Sequence, residues 1–363
     1  MKHSISTLGS HSALDVSEGA KKEGFNTIVV CQKGREFPYL NYYKTRKRGK
    51  KEIGVIDEVL LLNNFKDITG HSAISYLKNK NSIFVPNRSF SVYVGYDAIE
   101  NNFQIPIFGN RKLLRAEERD SKNNQYDLME KAGMNYPKQI SSPEKINSLS
   151  IIKVNEAERK YERSFFLASS YEEYKKKSLE LISNKKITEK DLATARIEEF
   201  VLGTHFNFNF FYSPIHEEIE LLGIDMRRQT NLDGFLRIPA DVQLQVLKHK
   251  QPVNIEAGHV ACTIRESLLK EAYNQAEKLV DVTSKEYSPG IIGPFALQGA
   301  IEEKNGKEQL TIFDISFRMP GSPGTRFTPY SEYLFQESLS FGRRIAIEIK
   351  DAEKNKEINL VTT

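Results

Sequence analysis

Two hydrophobic periods succeed one another along the chain, and their order predicts its organisation. ISTLG (residues 5–9) is apolar and ends in small residues, and SALDVSEGAKKEG (12–24) carries apolar positions at helical spacing up to a glycine. Strand, tight turn and helix follow from that pattern. NTIVVCQ (26–32), EIGVIDEVLLL (52–62) and SIFVPN (82–87) read as further strands with helical or loop stretches between them. Strands alternating with helices imply a largely parallel sheet, and we assign residues 1–120 to this first α/β domain.

A polar stretch follows, with a helix ending at Gly133 and a Pro-containing segment beyond it, as at a domain junction. SLSIIKVN is a strand bearing Lys153, SFFLASS its partner, YEEYKKKSLELI a helix and ATARIEEFVLG another strand, so a small α/β subdomain spans about 146–205. The remainder, from HFNFNFFYSPI through EEIELLGIDM, GPFALQGAIEE and QLTIFDISFRM, is strand-rich before helices from about Ser331.

Composition narrows the function classes. A chain of 363 residues is long enough for two or three layered domains. Its formal charge of +4 is too small to support nucleic-acid or membrane attraction by itself. Cys31 and Cys262 are far apart and outside any zinc or thiol-exchange motif. No stretch approaches the ~18 apolar residues of a membrane span, and no apolar leader opens the chain; a cytoplasmic location is expected. The one dense basic tract, Lys44 to Lys51 beside Tyr42 and Tyr43, reads as a solvated loop between strands rather than an RNA contact.

Several residues have both a chemical and a bland reading. Gly9-Ser10-His11-Ser12 lies where the first parallel strand hands over to a helix, where open α/β sheets bind ligands and helix amides favour anions; alternatively Ser10 or Ser12 caps the helix. Lys153 is either a phosphate contact or a solvated strand lysine. Glu198 and Glu199, followed by Phe200 and Val201, either meet a nucleotide or face solvent. Gln298 and Asp314 lie on strands flanking Asn305-Gly306 and offer the oxygen donors that Mg²⁺ prefers. A two-residue turn pairs Gln298 with Phe313 and puts Asp314 on the opposite face, so joint metal binding requires an odd loop or a bulge; otherwise Gln298 is a buried amide and Asp314 pairs with Arg318. His259 is a polar contact or proton carrier if not an exposed loop histidine, and His205, among aromatics, reads as a half-buried structural residue.

Taken in order, TLGSHSAL, VPNRSF, IEEFVLG, LLGIDMRRQTNLDGFLRIPA, TIRESLL, PGIIGPFALQ, FDISFRMPGSPGTRFTPYSEYLF and SFGRRIAIEI resemble the archaeal formate-dependent ligase of 5-aminoimidazole-4-carboxamide ribonucleotide (AICAR) over nearly the whole chain. The resemblance implies an ATP-grasp fold over residues 121–363, preceded by a Rossmann-like parallel-sheet domain. It implies a formate–phosphoribosylaminoimidazolecarboxamide ligase: ATP phosphorylates formate, and the AICAR amine attacks the formyl phosphate to give the formamide (FAICAR), ADP and phosphate on the route to inosine monophosphate. His11, Ser12, Ser89 and His259 fall at AICAR positions; Lys153, Glu198, Glu199, Phe200, Val201 and Arg228 at ATP positions; Gln298 and Asp314 at the Mg²⁺ or Mn²⁺ positions. A homo-oligomer, with a hexamer as the candidate state, is also implied. No general base is assigned. Many family members carry a glycine-rich loop after the strand lysine, whereas this chain has NEAERKYERS, in which Arg159, Lys160 or Arg163 substitutes side-chain charge for loop amides. Asp314 stands where glutamate is usual. Two rival readings follow: an ATP-grasp paralogue with another carboxylate or amine, and a catalytically silent nucleotide-binding homologue.

Overall fold

The alternating first third of the chain forms β1 (Ser4–Leu8), β2 (Asn26–Gln32), β3 (Arg46–Arg48), β4 (Lys51–Ile53), β5 (Glu58–Leu62) and β6 (Ser82–Val85), with α1 (Ala13–Lys22), α2 (His71–Asn79) and α3 (Arg88–Val94) between or after them. The computed structural model describes residues 3–118, 121–154, 165–250, 253–304 and 306–363. β5-β2-β1-β6 make a parallel sheet in that order. EIGVIDEVLLL is not one strand. Gly54, at φ 89 and packed against the Lys44 carbonyl, breaks it, so that β4 instead pairs antiparallel with β3 across a turn at Gly49, φ 64. The basic tract is therefore a short exposed ribbon.

β7 (Gln139–Ile140), β8 (Ser150–Lys153), β9 (Phe165–Ala168) and β10 (Arg196–Glu199) form a second, antiparallel sheet ordered β7-β10-β8-β9. Ile140, Ile152, Phe166 and Ile197 pack one face against the helix Tyr171–Ser183. Lys153 lies opposite Arg196, and Glu198 opposite both Ile151 and Gln139, on the other face.

β11 (Thr204–Ser213), β12 (Glu218–Thr230), β13 (Asn254–Cys262), β14 (Gly293–Lys304) and β15 (Lys307–Ser316) build a five-stranded antiparallel sheet ordered β13-β12-β11-β14-β15. The period-2 alternation of β11 sorts its side chains. Phe206 and Phe208 join Ile224, Leu297, Ile312 and Ile315 against the helix Leu269–Glu286, where each fully buried side chain of this kind contributes roughly 1.5–3 kcal/mol. Asn207 faces the other way, and register sets it opposite Asp225 on one side and Gln298 on the other. His205 shares that face and is exposed rather than half-buried, its ring 5.2 Å from that of Phe313.

The helix Phe341–Asn355 returns to the first sheet. Phe341, Ile345 and Ile349 join Ile5, Val16 and Ile83, together with Phe211 and Leu222 of the five-stranded sheet. Gly19 of α1 and Gly342 meet backbone to backbone, so that a Cβ on Gly19 would collide with Arg343 and one on Gly342 with Asp15. Behind them Arg344 donates to Glu220 at 2.7 and 2.6 Å and to Glu348 at 2.8 Å, while Ser213 donates to Glu348 at 2.7 Å.

Candidate active site

The polar face of the five-stranded sheet carries a transverse row, Asp225, Asn207, Gln298 and Asp314, contributed by four adjacent strands. Lys304 pairs with Lys307, a two-residue turn that would ordinarily put Gln298 and Asp314 on opposite faces. A bulge resolves this. Register shifts between Gln298 and Gly299, Phe313 is the extra residue, and Gln298 faces Asp314 directly. Asp314 does not pair with Arg318. Its Oδ1 accepts from Gln125 Nε2 at 3.1 Å, while Gln125 Oε1 accepts from Ile315 N at 2.6 Å. Among the described residues no group of three or more His, Cys, Asp or Glu side chains could hold a metal. Two facing oxygen donors nevertheless suit Mg²⁺, which needs few protein ligands where it also bridges phosphates.

At one end of the row Lys153 is neither solvated nor solitary. It is ion-paired with Glu198, a carboxylate only 1% exposed, and it donates to Tyr126 Oη at 3.3 Å and to the Phe313 carbonyl at 3.5 Å. Gln139 donates to the other oxygen of Glu198 at 3.0 Å, and the Arg196 guanidinium lies 4.2 Å from the Tyr126 ring centre. The second sheet thus brings Lys153 and Glu198 to the strand that bears Asp314. Glu199 lies on the opposite face of β10, opposite Ser150. The strand ends there, so Phe200 and Val201 follow it rather than belong to it, the Phe200 amide donating to Leu149 O at 3.0 Å. Arg228 is elsewhere: it is exposed on β12, opposite Gly258 and paired with Asp233, and that contact does not bring it to Lys153. Arg159, Lys160 and Arg163 lie outside the described residues.

At the other end His259 belongs to β13, not to a loop, and donates Nδ1 to Asp225 Oδ2 at 2.6 Å. Two asparagines complete the carboxylate's shell, Asn207 at 2.8 Å and Asn209 at 2.7 Å. His11 arrives from the turn after β1. A Cβ on Gly321 would lie 3.2 Å from His11 Nδ1 and 3.8 Å from His259 Nε2, so this glycine separates the two rings. Ser12 precedes α1 but does not cap it; held at φ 66, it donates its hydroxyl to the Pro320 carbonyl. Such a conformation is uncommon for a residue with a side chain and marks a place to look for function. Ser10 Oγ lies 2.6 Å from Ser89 Oγ, and Asn87 donates to the His11 carbonyl at 3.0 Å.

Between the ends sits a cluster that sequence reasoning missed. Glu117 receives Arg88 at 3.2 Å and the Phe317 amide at 2.8 Å, with Arg318 at 3.4 Å. Burial opposes the charge of Arg88, but Glu117, Tyr96 and Glu118 prevail and raise its pKa. Burial lowers that of Arg318; Glu117 opposes the shift, and Arg88 and Arg227 reinforce it by repulsion. Arg227 lies on β12 directly opposite His259. The only sequence signal for Asp225 and Arg227 was their shared strand face within IDMRR.

Known proteins of similar fold and sequence define the class. The structure superposes on N5-carboxyaminoimidazole synthetase from Staphylococcus aureus with a TM-score of 0.57 at 13% identity, covering 93% of this chain and 78% of that one; the fold is the ATP-grasp fold. An IMP biosynthesis protein PurP from Thermococcus kodakaraensis superposes with a TM-score of 0.73 at 29% identity, over 99% of this chain and all of that one. Family models described as a domain of unknown function (DUF1297) and a protein of unknown function (DUF1246) match residues 173–363 and 5–140. The 5-formaminoimidazole-4-carboxamide-1-(beta)-D-ribofuranosyl 5'-monophosphate synthetase of Methanocaldococcus jannaschii is 40% identical over 96% of this chain and 91% of its own. The enzyme of the same name from Methanosphaera stadtmanae is 37% identical over 99% and 94%. The chain belongs to this synthetase family.

Proposed function

We propose that the protein is an ATP- and formate-dependent ligase that converts AICAR to FAICAR, releasing ADP and phosphate through a formyl phosphate intermediate. The names of its full-length relatives support the reaction. The observation that carries it to this chain is the row from Asp314 to Asp225, with oxygen donors beside Lys153 at one end and an oriented imidazole at the other. In this reading Lys153 steadies the ATP phosphates while Glu198 and the segment to Val201 hold the nucleoside. Gln298 and Asp314 would hold Mg²⁺ or Mn²⁺, which when bound would supply positive charge to the transferring phosphoryl group. A formate oxygen attacks the γ-phosphorus and ADP leaves; the AICAR amine then attacks the formyl carbon and phosphate leaves. His11, Ser12, Ser89 and His259 position AICAR, so that its site draws on both the N-terminal α/β domain of residues 1–120 and the ATP-grasp domain of residues 121–363.

ADP release with ATP and Mg²⁺, adding formate and AICAR separately and then together, tests the reading, with mass spectrometry of the nucleotide product. Turnover that needs both, with a product carrying one formyl group in place of a hydrogen, is expected. Turnover with a different amine or carboxylate identifies a paralogue, and no turnover with any metal identifies a silent homologue.

A further inference from the structure

The AICAR and ATP positions have side chains assigned to them, whereas the small carboxylate has none. Arg88 opens α3 at the carboxyl end of the first sheet, one residue before Ser89, and reaches into the ATP-grasp half of the molecule. Its Nη1 donates to Glu117 at 3.2 Å and to Glu118 at 3.4 Å. Among the described residues no acceptor meets its Nε or Nη2. The Arg88 side chain keeps 35% of its accessibility, against 5% for that of Glu117, so the fork is anchored at one point and accessible elsewhere. The acids around it are committed to other donors as well. Glu117 accepts from the Phe317 amide at 2.8 Å and lies 3.4 Å from Arg318, Glu118 accepts from Tyr96 Oη at 2.7 Å, and Asp314 accepts from Gln125 at 3.1 Å. Burial opposes the charge of Arg88; Glu117, Tyr96 and Glu118 favour it, and Asp314 adds to them, which puts Arg88 within electrostatic reach of the residues assigned to the metal. Arg88 and Arg318 thus share one buried carboxylate, and a structural ion pair needs only one of them. Spare guanidinium donors at this place suit a planar anion with two oxygens.

We propose that Arg88 binds the formate carboxylate and then the carbonyl oxygen of formyl phosphate, placing the reacting carbon between the ATP phosphates and AICAR at the neighbouring Ser89. The inference rests on the ligase reading above and adds to it a residue for the third substrate. With one formate oxygen held, the other forms the bond to the γ-phosphorus. The bond from that phosphorus to the bridging oxygen breaks, and its electron pair leaves on ADP. The held oxygen is now the carbonyl oxygen. When the amine lone pair bonds to the formyl carbon, the π pair moves onto this oxygen, where Arg88 faces the charge that develops. The pair returns as the bond from carbon to the phosphate oxygen breaks, and one N–H proton passes to the departing phosphate. A single guanidinium therefore serves both steps.

The test compares the full chain with Arg88→Gln, Arg88→Lys and Glu117→Gln. KM values for formate, ATP and AICAR are measured alongside broadening of the carbon-13 signal of labelled formate by protein with Mg²⁺ and a non-hydrolysable ATP analogue, which requires no turnover. Arg88→Gln is expected to raise the formate KM and weaken formate binding by about tenfold or more, while the KM values for ATP and AICAR stay within about threefold. Arg88→Lys keeps the charge without the fork and should fall between parent and Arg88→Gln; should Arg88→Gln not fold, Arg88→Lys carries the comparison. Glu117→Gln separates a substrate contact from an ion pair, because it removes the partner and keeps the arginine: its formate KM should be unchanged or lower. An equal rise in Glu117→Gln and Arg88→Gln, or labelled formate bound as tightly by Arg88→Gln as by the parent, overturns the assignment alone. An unaltered protein that binds labelled formate through Arg88 but forms no FAICAR overturns the ligase reading and leaves the carboxylate site standing.

Discussion

Strand β12 carries two carboxylates that are equally buried and differently employed. Glu220 and Asp225 are each 1% exposed. Glu220 is gripped by Arg344, which also holds Glu348 and lies 4.3 Å from the Phe211 ring centre, 2% exposed itself. Every partner there is a permanent part of the interior. Asp225 instead ends in an imidazole whose far edge faces another histidine across a glycine. Burial and hydrogen bonding do not separate scaffold from chemistry; the last group in the chain of contacts does. A guanidinium keeps its proton, whereas an imidazole exchanges one near neutral pH.

The largest effect should come from breaking the scaffold pair. Arg344→Ala leaves Glu220 and Glu348 buried without their cation, and denaturant unfolding should show a loss of about 3–5 kcal/mol. An unchanged midpoint would mean that the network contributes nothing. Asp314→Asn should cost at least about 10²-fold in turnover, or about 2.7 kcal/mol, with little change in unfolding midpoint; full activity at limiting Mg²⁺ would remove Asp314 from the metal site.

Asp15 is a third buried acid, packed on α1 beneath the last helix and without an arginine in its grip. Burial pushes its pKa up from 3.8 to about 6, against the hydrogen bonds from Ser340 and Gly342. Because the folded-state value is the higher one, this group's stabilising contribution is fully present below about pH 3.8 and is lost as pH rises through about 6. Asp15→Asn should therefore gain on the parent between pH 4 and 7, on the order of 1.4 kcal/mol for each unit of elevation; parallel stability curves would contradict this. Arg228, next to Arg227 but exposed and paired with Asp233, should change stability by less than about 1 kcal/mol when replaced by Gln. A KM for ATP that also stays constant would place it outside the nucleotide site.

Much of the architecture was legible because period and register are local properties. The alternation in FNFNFF marks both faces of β11, and the Asn-Gly pair marks the turn between β14 and β15. The same local rules could state the condition on Gln298 and Asp314 but not decide it, since nothing in QLTIFDI declares that Phe313 is the residue left out of register. Local pattern could not tell Lys153 and Glu198 from surface charges, because their burial depends on Tyr126 and β15, remote in sequence. Glu117 was invisible for the same reason: its partner amide, Phe317, lies 200 residues away. EIGVIDEVLLL misled because its apolar content masked the glycine at which the backbone turns aside.

The backbone contact between Gly19 and Gly342 also bears on how the protein is made. Translation delivers α1 and its sheet by Val85 and the helix Phe341–Asn355 roughly 250 residues later. Until then Val16 and Ile5 lack the Phe341, Ile345 and Ile349 side chains that cover them in the finished structure. At synthesis rates of about 5–20 residues per second, the first sheet waits for its cover for roughly 13–50 seconds, with an apolar face still uncovered.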